Sequence, residues 1–315
     1  MRAKARRWEP NMKLAFWSSS KGNVGVTSNM ACISIVAALG YSYKAILFEN
    51  HYQTNDIGRL IKYHHANLLY SINHSQVKSM GINHIMKNLS YSQFFNLSNI
   101  HQNNYTKEFK SLVLNDSKSE NNQNHKSIVS LIKEATLEIV DNYLYYLPTN
   151  TVIPQNIYDF AMNHYVKNIL EGAQELADIV YVDTSKDNYL STKVILDEVD
   201  LVVVNLNQNL KEFKYFFQNY ASLIEKCVFL ISNYNLQSNL SMNKISYIFS
   251  IPKTRLAAIP HNEDYQDALS RGSLVEFLYS NIDCSYYDPL YPFIDGVQKA
   301  VTMILMEVFN QKKGE

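Results

Sequence analysis

Short, almost wholly apolar runs that recur between stretches of helical spacing constrain this chain more than any other feature. Residues 13–17, 44–48, 143–147, 179–182, 201–205, 227–231 and 256–259 read as strands, and residues 30–39, 158–176, 190–198, 210–226 and 293–310 carry apolar positions at helical spacing. A strand that is apolar along its whole length is buried on both faces, and strands that alternate with helices are joined by parallel crossovers. The expected fold is therefore α/β, a doubly wound, mostly parallel sheet flanked by helices. With 315 residues, 46% of them hydrophobic, the chain is long enough for a full core, and a single elaborated domain over 13–315 is expected.

Two regions fall outside that rhythm. Residues 1–12 contain Arg2, Lys4, Arg6 and Arg7 and read as a basic tail, either solvated or in contact with nucleic acid or anionic lipid. From about 62 to 138 the chain is rich in Asn, Ser, His and Tyr, and its most polar part, 115–126, has too little apolar surface to be packed. This stretch is expected to be a mostly helical insertion with a mobile loop in its middle.

Several function classes lose support at this level. Cys32, Cys227 and Cys284 are odd in number and far apart, which argues against a disulfide framework and fits a reducing, cytoplasmic setting. No apolar run approaches the roughly 20 residues of a membrane-spanning helix, and no secretory leader is evident. None of the nine histidines, His64 and His65 included, has the paired Cys/His spacing of a zinc site, and no G-x-S-x-G elbow is present. Near the C-terminus, Val297, Ala300, Val301, Ile304, Leu305, Val308 and Phe309 form a stripe followed by Lys312 and Lys313. Such a helix either covers the sheet or holds the protein peripherally at a membrane surface, and core packing is the expectation.

Residues 18–28, Ser18-Ser19-Ser20-Lys21-Gly22-Asn23-Val24-Gly25-Val26-Thr27-Ser28, lie between the first strand and the first helix, where a phosphate-binding loop sits. Against G-x-x-x-x-G-K-[ST] the stretch keeps Gly25 and Thr27 but has Ser20 for the first glycine and Val26 for the lysine. Main-chain N–H groups and the helix N-terminus cradle an anion without any side chain. Binding can therefore outlast the loss of the lysine where hydrolysis cannot.

Taken with Glu49 and His51 after the second strand, Asp183 at the end of another, Asn233, and Ile259-Pro260 near the C-terminus, this loop resembles that of the MinD/ParA family of deviant Walker-A ATPases. The resemblance implies a P-loop NTPase-like fold of the SIMIBI class and a site for ATP or ADP with Mg2+. By the family's pattern, residues 21–28 would hold the phosphates: Lys21, Gly22, Asn23, Val24, Gly25, Val26, Thr27 and Ser28. Asn233 would read the base and Pro260 would line its pocket, while Thr27 and Asp183 would hold the metal. Lys21 matches the signature lysine that reaches a dimer partner's phosphates, and with Asp183 it would be catalytic if the protein is active.

Two departures bear on function. Val26 supplies neither charge nor donor where the loop lysine belongs, and His51 stands where the family has a second acidic residue. The reading that follows is a degenerate, pseudo-ATPase relative that acts as a dimeric positional scaffold or regulator in partitioning, pilus or secretion-complex placement. The alternative is a slow but active ATPase that uses ATP-dependent dimerisation as its switch. The implied partner is a second copy or an intact homologue to which this chain lends Lys21; DNA and a membrane surface are further candidate contacts.

Overall fold

Strand β1 (Met12–Trp17) occupies the middle of the sheet, and its neighbours explain why its sequence is apolar throughout. It pairs in parallel with β5 (Ile179–Thr184) on one side and with β6 (Leu201–Asn207) on the other. The order continues outward to β2 (Ala45–Asn50), β4 (Leu144–Leu147) and β3 (Leu137–Val140) past β5, and to β7 (Cys227–Tyr234) and β8 (Leu256–Pro260) past β6. Every pairing is parallel except that of β3 with β4. The computed structural model describes residues 11–20, 24–52, 56–61, 81–82, 84–86, 88, 127–149, 155–184 and 189–314. The doubly wound sheet with flanking helices is thus the observed fold.

Successive side chains of a strand point to opposite faces, and here each face has its own core. Leu14 and Phe16 of β1 join one cluster with Leu47, Tyr181 and Leu230 beneath α1 (Val26–Tyr41) and the C-terminal helix, while Ala15 and Trp17 join the other with Phe48, Val182 and Phe229. The second face is covered by α3 (Ile128–Ala135), α4 (Gln155–Gln174), α5 (Tyr189–Glu198), α6 (Leu210–Asn219) and α7 (Met242–Phe249). A short α2 (Asp56–Leu60) follows β2. On the first face α8 (Glu263–Arg271), α9 (Leu274–Asn281) and α10 (Tyr291–Gly314) complete the layer.

The C-terminal stripe is spent on this core: Val297, Ala300, Val301, Ile304, Leu305 and Val308 are all buried. Among the described residues no helix is long and apolar enough to cross a membrane. The helical pattern over 210–226 breaks at Tyr220, after which Ala221–Lys226 is a 3-10 turn.

The stretch 62–138 lies largely outside the described residues, the polar run 115–126 entirely so. Its end is built into the fold rather than set apart. Ser127 caps α3 by accepting from the Ser130 N–H, and Leu131, Ile132 and Ala135 are buried under the sheet. Strand β3 then alternates, Leu137 and Ile139 inward and Glu138 outward, as an edge strand does. Gly81 also belongs to this body: it has φ +81°, donates to Ala135 O, and a Cβ there would stand 2.3 Å from Pro148 O. Only glycine allows that approach.

Candidate functional site

In an open parallel sheet, ligands settle at the carboxyl ends of the strands, where the chain changes its direction of winding. That point is β1: the chain leaves it towards β2 on the β5 side, and β6, β7 and β8 extend on the other side. The strands carry polar residues just there: Ser18, Asn50, Asp183, Asn205, Ser232 and Asn233.

The loop after β1 is pinned at both ends. The Ser20 N–H donates to Ser18 Oγ at 3.1 Å, and the Ser20 hydroxyl donates to Glu212 Oε2 at 2.6 Å. Glu212 is held in turn by the Asn207 N–H and side-chain amide, each at 3.0 Å. Gly25, with φ 68° and ψ 28°, begins α1 from the left-handed region, and a Cβ there would also crowd Ser28 Oγ at 3.2 Å. No side chain caps the first turn of α1 and no acidic residue lies in it. The N–H groups of a first turn have no partner within the helix, and with the helix dipole they make this end an anion cradle. Lys21, Gly22 and Asn23 lie outside the described residues. Val24 is buried, and Val26 packs against the core beneath α1.

Around Asp183 the structure gathers what the sequence left scattered. The Thr27 hydroxyl donates to Asp183 Oδ2, and His51 Nε2 lies 3.2 Å from Asp183 Oδ1. The Asp183 side chain is fully buried, that of His51 22% exposed. Burial opposes charge on His51, but the Asp183 carboxylate outweighs it and raises the imidazole to about 9. The His51 imidazole therefore keeps its proton at neutral pH. Glu49, opposite Asp183 in the β2–β5 register, accepts from the Ile57 N–H at 2.7 Å and from the Tyr146 hydroxyl at 2.6 Å. Its burial pushes its carboxyl up to about 8.

Behind the loop, the Asn29 side-chain amide donates to Asn205 Oδ1 at 3.0 Å and to Ser232 Oγ at 2.8 Å, which ties α1 to the ends of β6 and β7. Farther along the same edge, Asn233 has φ 51°, and its Oδ1 lies 2.6 Å from His261 Nδ1. Pro260 is buried, close enough to Gly296 of α10 that a Cβ on Gly296 would meet Pro260 Cδ at 2.4 Å. Strands stand about 4.8 Å apart, so the β1 loop and the end of β7 are separated by roughly 10 Å, with β6 between them. Thr27 and Asp183 thus meet in one place, and Asn233 and Pro260 in another along the same edge. Glu212, Asn29, Asn205, Ser232 and His261 carry no spacing signature; Asn205, Ser232 and His261 alone have a sequence signal, a polar residue directly after an apolar run.

A magnesium ion takes oxygen ligands. Thr27 suits one, because its hydroxyl gives its proton to Asp183 and keeps its lone pairs for a cation. Asp183 does not in this arrangement: Oδ2 accepts from Thr27, and Oδ1, buried and without a hydrogen-bond partner, faces the His51 imidazole at 3.2 Å, where magnesium needs oxygen ligands. As a whole the set does not fit a resident magnesium ion.

No protein-family model matches the chain, and no curated protein matches it either. Solved structures do. The cell division ATPase MinD of Pyrococcus furiosus superposes with a TM-score of 0.61 at 9% identity, over 94% of this chain and 99% of its own. A ParA family ATPase from Chlorobium tepidum gives 0.60 at 13%, over 93% and 99%. A plasmid partition protein from Borrelia burgdorferi, solved bound to AMPPNP, gives 0.56 at 13%, over 94% and 99%. At this level of identity a likeness speaks for the fold, and strand order, loop position and coverage agree: this chain is built on the fold of the MinD/ParA ATPases.

Proposed function

We propose that the chain is a MinD/ParA relative that binds a nucleotide at the carboxyl edge of β1 and hydrolyses it weakly or not at all. It works as a dimeric scaffold or regulator of position. The observation that carries this reading is the pairing of an uncapped anion cradle at Gly25–Ser28 with a disarmed catalytic side: Val26 is packed against the core, and His51 sits on Asp183. The AMPPNP-bound neighbour lends the ligand class. Phosphoryl transfer depends on positioned positive charge and an oriented nucleophile, and both departures remove such a part. The dimer partner is a second copy or an intact homologue.

Equilibrium binding of labelled ADP and ATP, followed by a phosphate-release assay, tests the reading. Micromolar binding with turnover near the background rate is the expected result. Turnover that Asp183→Ala abolishes would favour the slow ATPase instead, a reading kept open by the intact Thr27–Asp183 hydrogen bond.

A further inference from the structure

Exposed aromatic side chains gather in the turn between α9 and α10. Tyr286 is 74% and Tyr287 92% exposed, their ring centroids are 5.7 Å apart, and Tyr286 lies 5.1 Å from Tyr291. The turn that presents them is fixed from within. The Asp288 N–H donates to Ser285 O and the Leu290 N–H to Asp288 Oδ1, each at 2.8 Å, the Gln298 amide donates to Ile282 O at 2.9 Å, and Leu290 is buried. Aromatic surface held open to water on an ordered backbone marks a place where a partner docks. The charge around it has one sign: residues 272–298 contain no Lys, Arg or His, and Asp283 and Asp288, which flank the tyrosine pair in sequence, are exposed. Such a surface selects an arginine-rich segment, because guanidinium groups stack on tyrosine rings and pair with carboxylates.

The chain carries such a segment itself, Arg2, Lys4, Arg6 and Arg7 followed by Trp8. It joins the fold at the opposite edge of the sheet. Trp17, Val204, Phe229 and Leu256 are register partners across β1, β6, β7 and β8. Met12 therefore lies five residues to one side of that level and Pro260 four residues to the other, a separation along the strands of roughly 30 Å. α10 runs antiparallel to β8, since Gly296 stands against Pro260 while Glu307 meets Arg255, so Tyr291 and the turn before it lie beyond Pro260. Five extended residues reach about 18 Å, which leaves Arg7 of any one chain short of its own tyrosines. We infer that residues 2–7 of one copy dock on the Tyr286–Tyr287 turn of a second copy. The contact is separate from the proposed nucleotide site and does not rest on it.

Sedimentation equilibrium of the full-length chain without nucleotide tests this. The wild-type protein is expected to self-associate, and to do so less as salt rises from about 0.1 M to about 1 M and the screening length falls from about 10 Å to about 3 Å. A tail variant with Arg2→Ser, Lys4→Ser, Arg6→Ser and Arg7→Ser, and a turn variant with Tyr286→Ser and Tyr287→Ser, should each weaken association at least about tenfold. A fluorescein-labelled peptide of residues 1–8 should bind the full-length tail variant, and at least about tenfold less tightly once the two tyrosine substitutions are added. Melting curves report folding; if the turn variant does not fold, Tyr287→Lys, a single change at the more exposed ring, takes its place. Association that survives either set of substitutions overturns the inference, as does peptide binding that ignores the tyrosines or is absent. A wild-type chain that stays monomeric overturns it too, even where the peptide binds, because the tail would then be held by its own chain.

Discussion

Asp183 accepts from the Thr27 hydroxyl on one side and faces the His51 imidazole on the other, and the groups around it have consequences for stability that can be read against pH. Glu49 titrates near 8 in the folded protein against an ordinary 4.5, and His51 near 9 against 6.5. In each case the folded state holds a proton that the unfolded chain releases earlier. The stability linked to Glu49 is thus complete below about 4.5 and lost as pH rises through about 8. That linked to His51 is complete below about 6.5 and lost as pH rises through about 9. The two have the same sign, so the melting temperature should fall continuously from pH 6 to 9. Glu49→Gln should flatten the lower part of that slope and His51→Asn the upper part, as followed by circular dichroism. Equal slopes in all three proteins would show that neither group is linked to folding as described. Much of this site was legible in the sequence, because Gly25, Thr27 and Asp183 follow a known spacing and His51 stands out as a departure from it. Ser20–Glu212 and Asn29–Asn205–Ser232 were not, since residues more than 170 positions apart meet only when the sheet brings strand ends together.

Among the elements, the strands that are apolar throughout were legible from sequence because burial on both faces leaves no room for alternation. β2, β5 and β7 run beyond the apolar stretch by residues at the carboxyl edge, such as Glu49-Asn50, Asp183-Thr184 and Ser232-Asn233-Tyr234. β3 and α3 were hidden for the opposite reason: they are short, half-buried and next to a polar stretch, so their two-residue and helical periodicities are brief. α10 shows how a single residue sets an element's position. It packs over β8 at a distance that leaves no space for a Cβ on Gly296, where Pro260 Cδ would be 2.4 Å and Ala258 O 3.0 Å away. Gly296→Ala should therefore cost about 1–3 kcal/mol through overpacking. Gly40, near the end of α1, has nothing within 4 Å of its missing Cβ, and Gly40→Ala should add up to about 1 kcal/mol through helix propensity. Urea denaturation of the two variants should move the midpoint in opposite directions. A midpoint for Gly296→Ala at or above that of wild type would mean that α10 can lift off β8 without loss. Arg255 is a second tie on the same helix, with its guanidinium 2.5 Å from the nearly buried Glu307.

At the scale of the whole molecule, one sheet separates two cores that cannot form independently, because each strand contributes alternate side chains to both. Phe16 and Leu14 face α1 and α10, while Trp17 and Ala15 of the same strand face the helices of the other layer. Loss of packing on one face frees the strands that form the floor of the other, and the described body should therefore unfold in one step even though its apolar contacts fall into two clusters. Phe293 is fully buried in the first core, between Tyr265 at 4.6 Å and Phe277 at 6.1 Å, and Phe213 in the second, against Phe249 at 5.2 Å. Phe293→Ala and Phe213→Ala should each cost about 3–5 kcal/mol. Each should shift the whole far-ultraviolet transition in urea to lower midpoint without splitting it, and fluorescence from Trp17, read in a Trp8→Phe background because the chain has a second tryptophan at position 8, should move with it even when the first core carries the substitution, since Trp17 packs beside Phe216 and Tyr220 of the second core. If Phe293→Ala instead produced a second transition that the Trp17 signal did not follow, the two faces would be separate cooperative units, and an anion site at the end of the strand they share would lose one wall before the other.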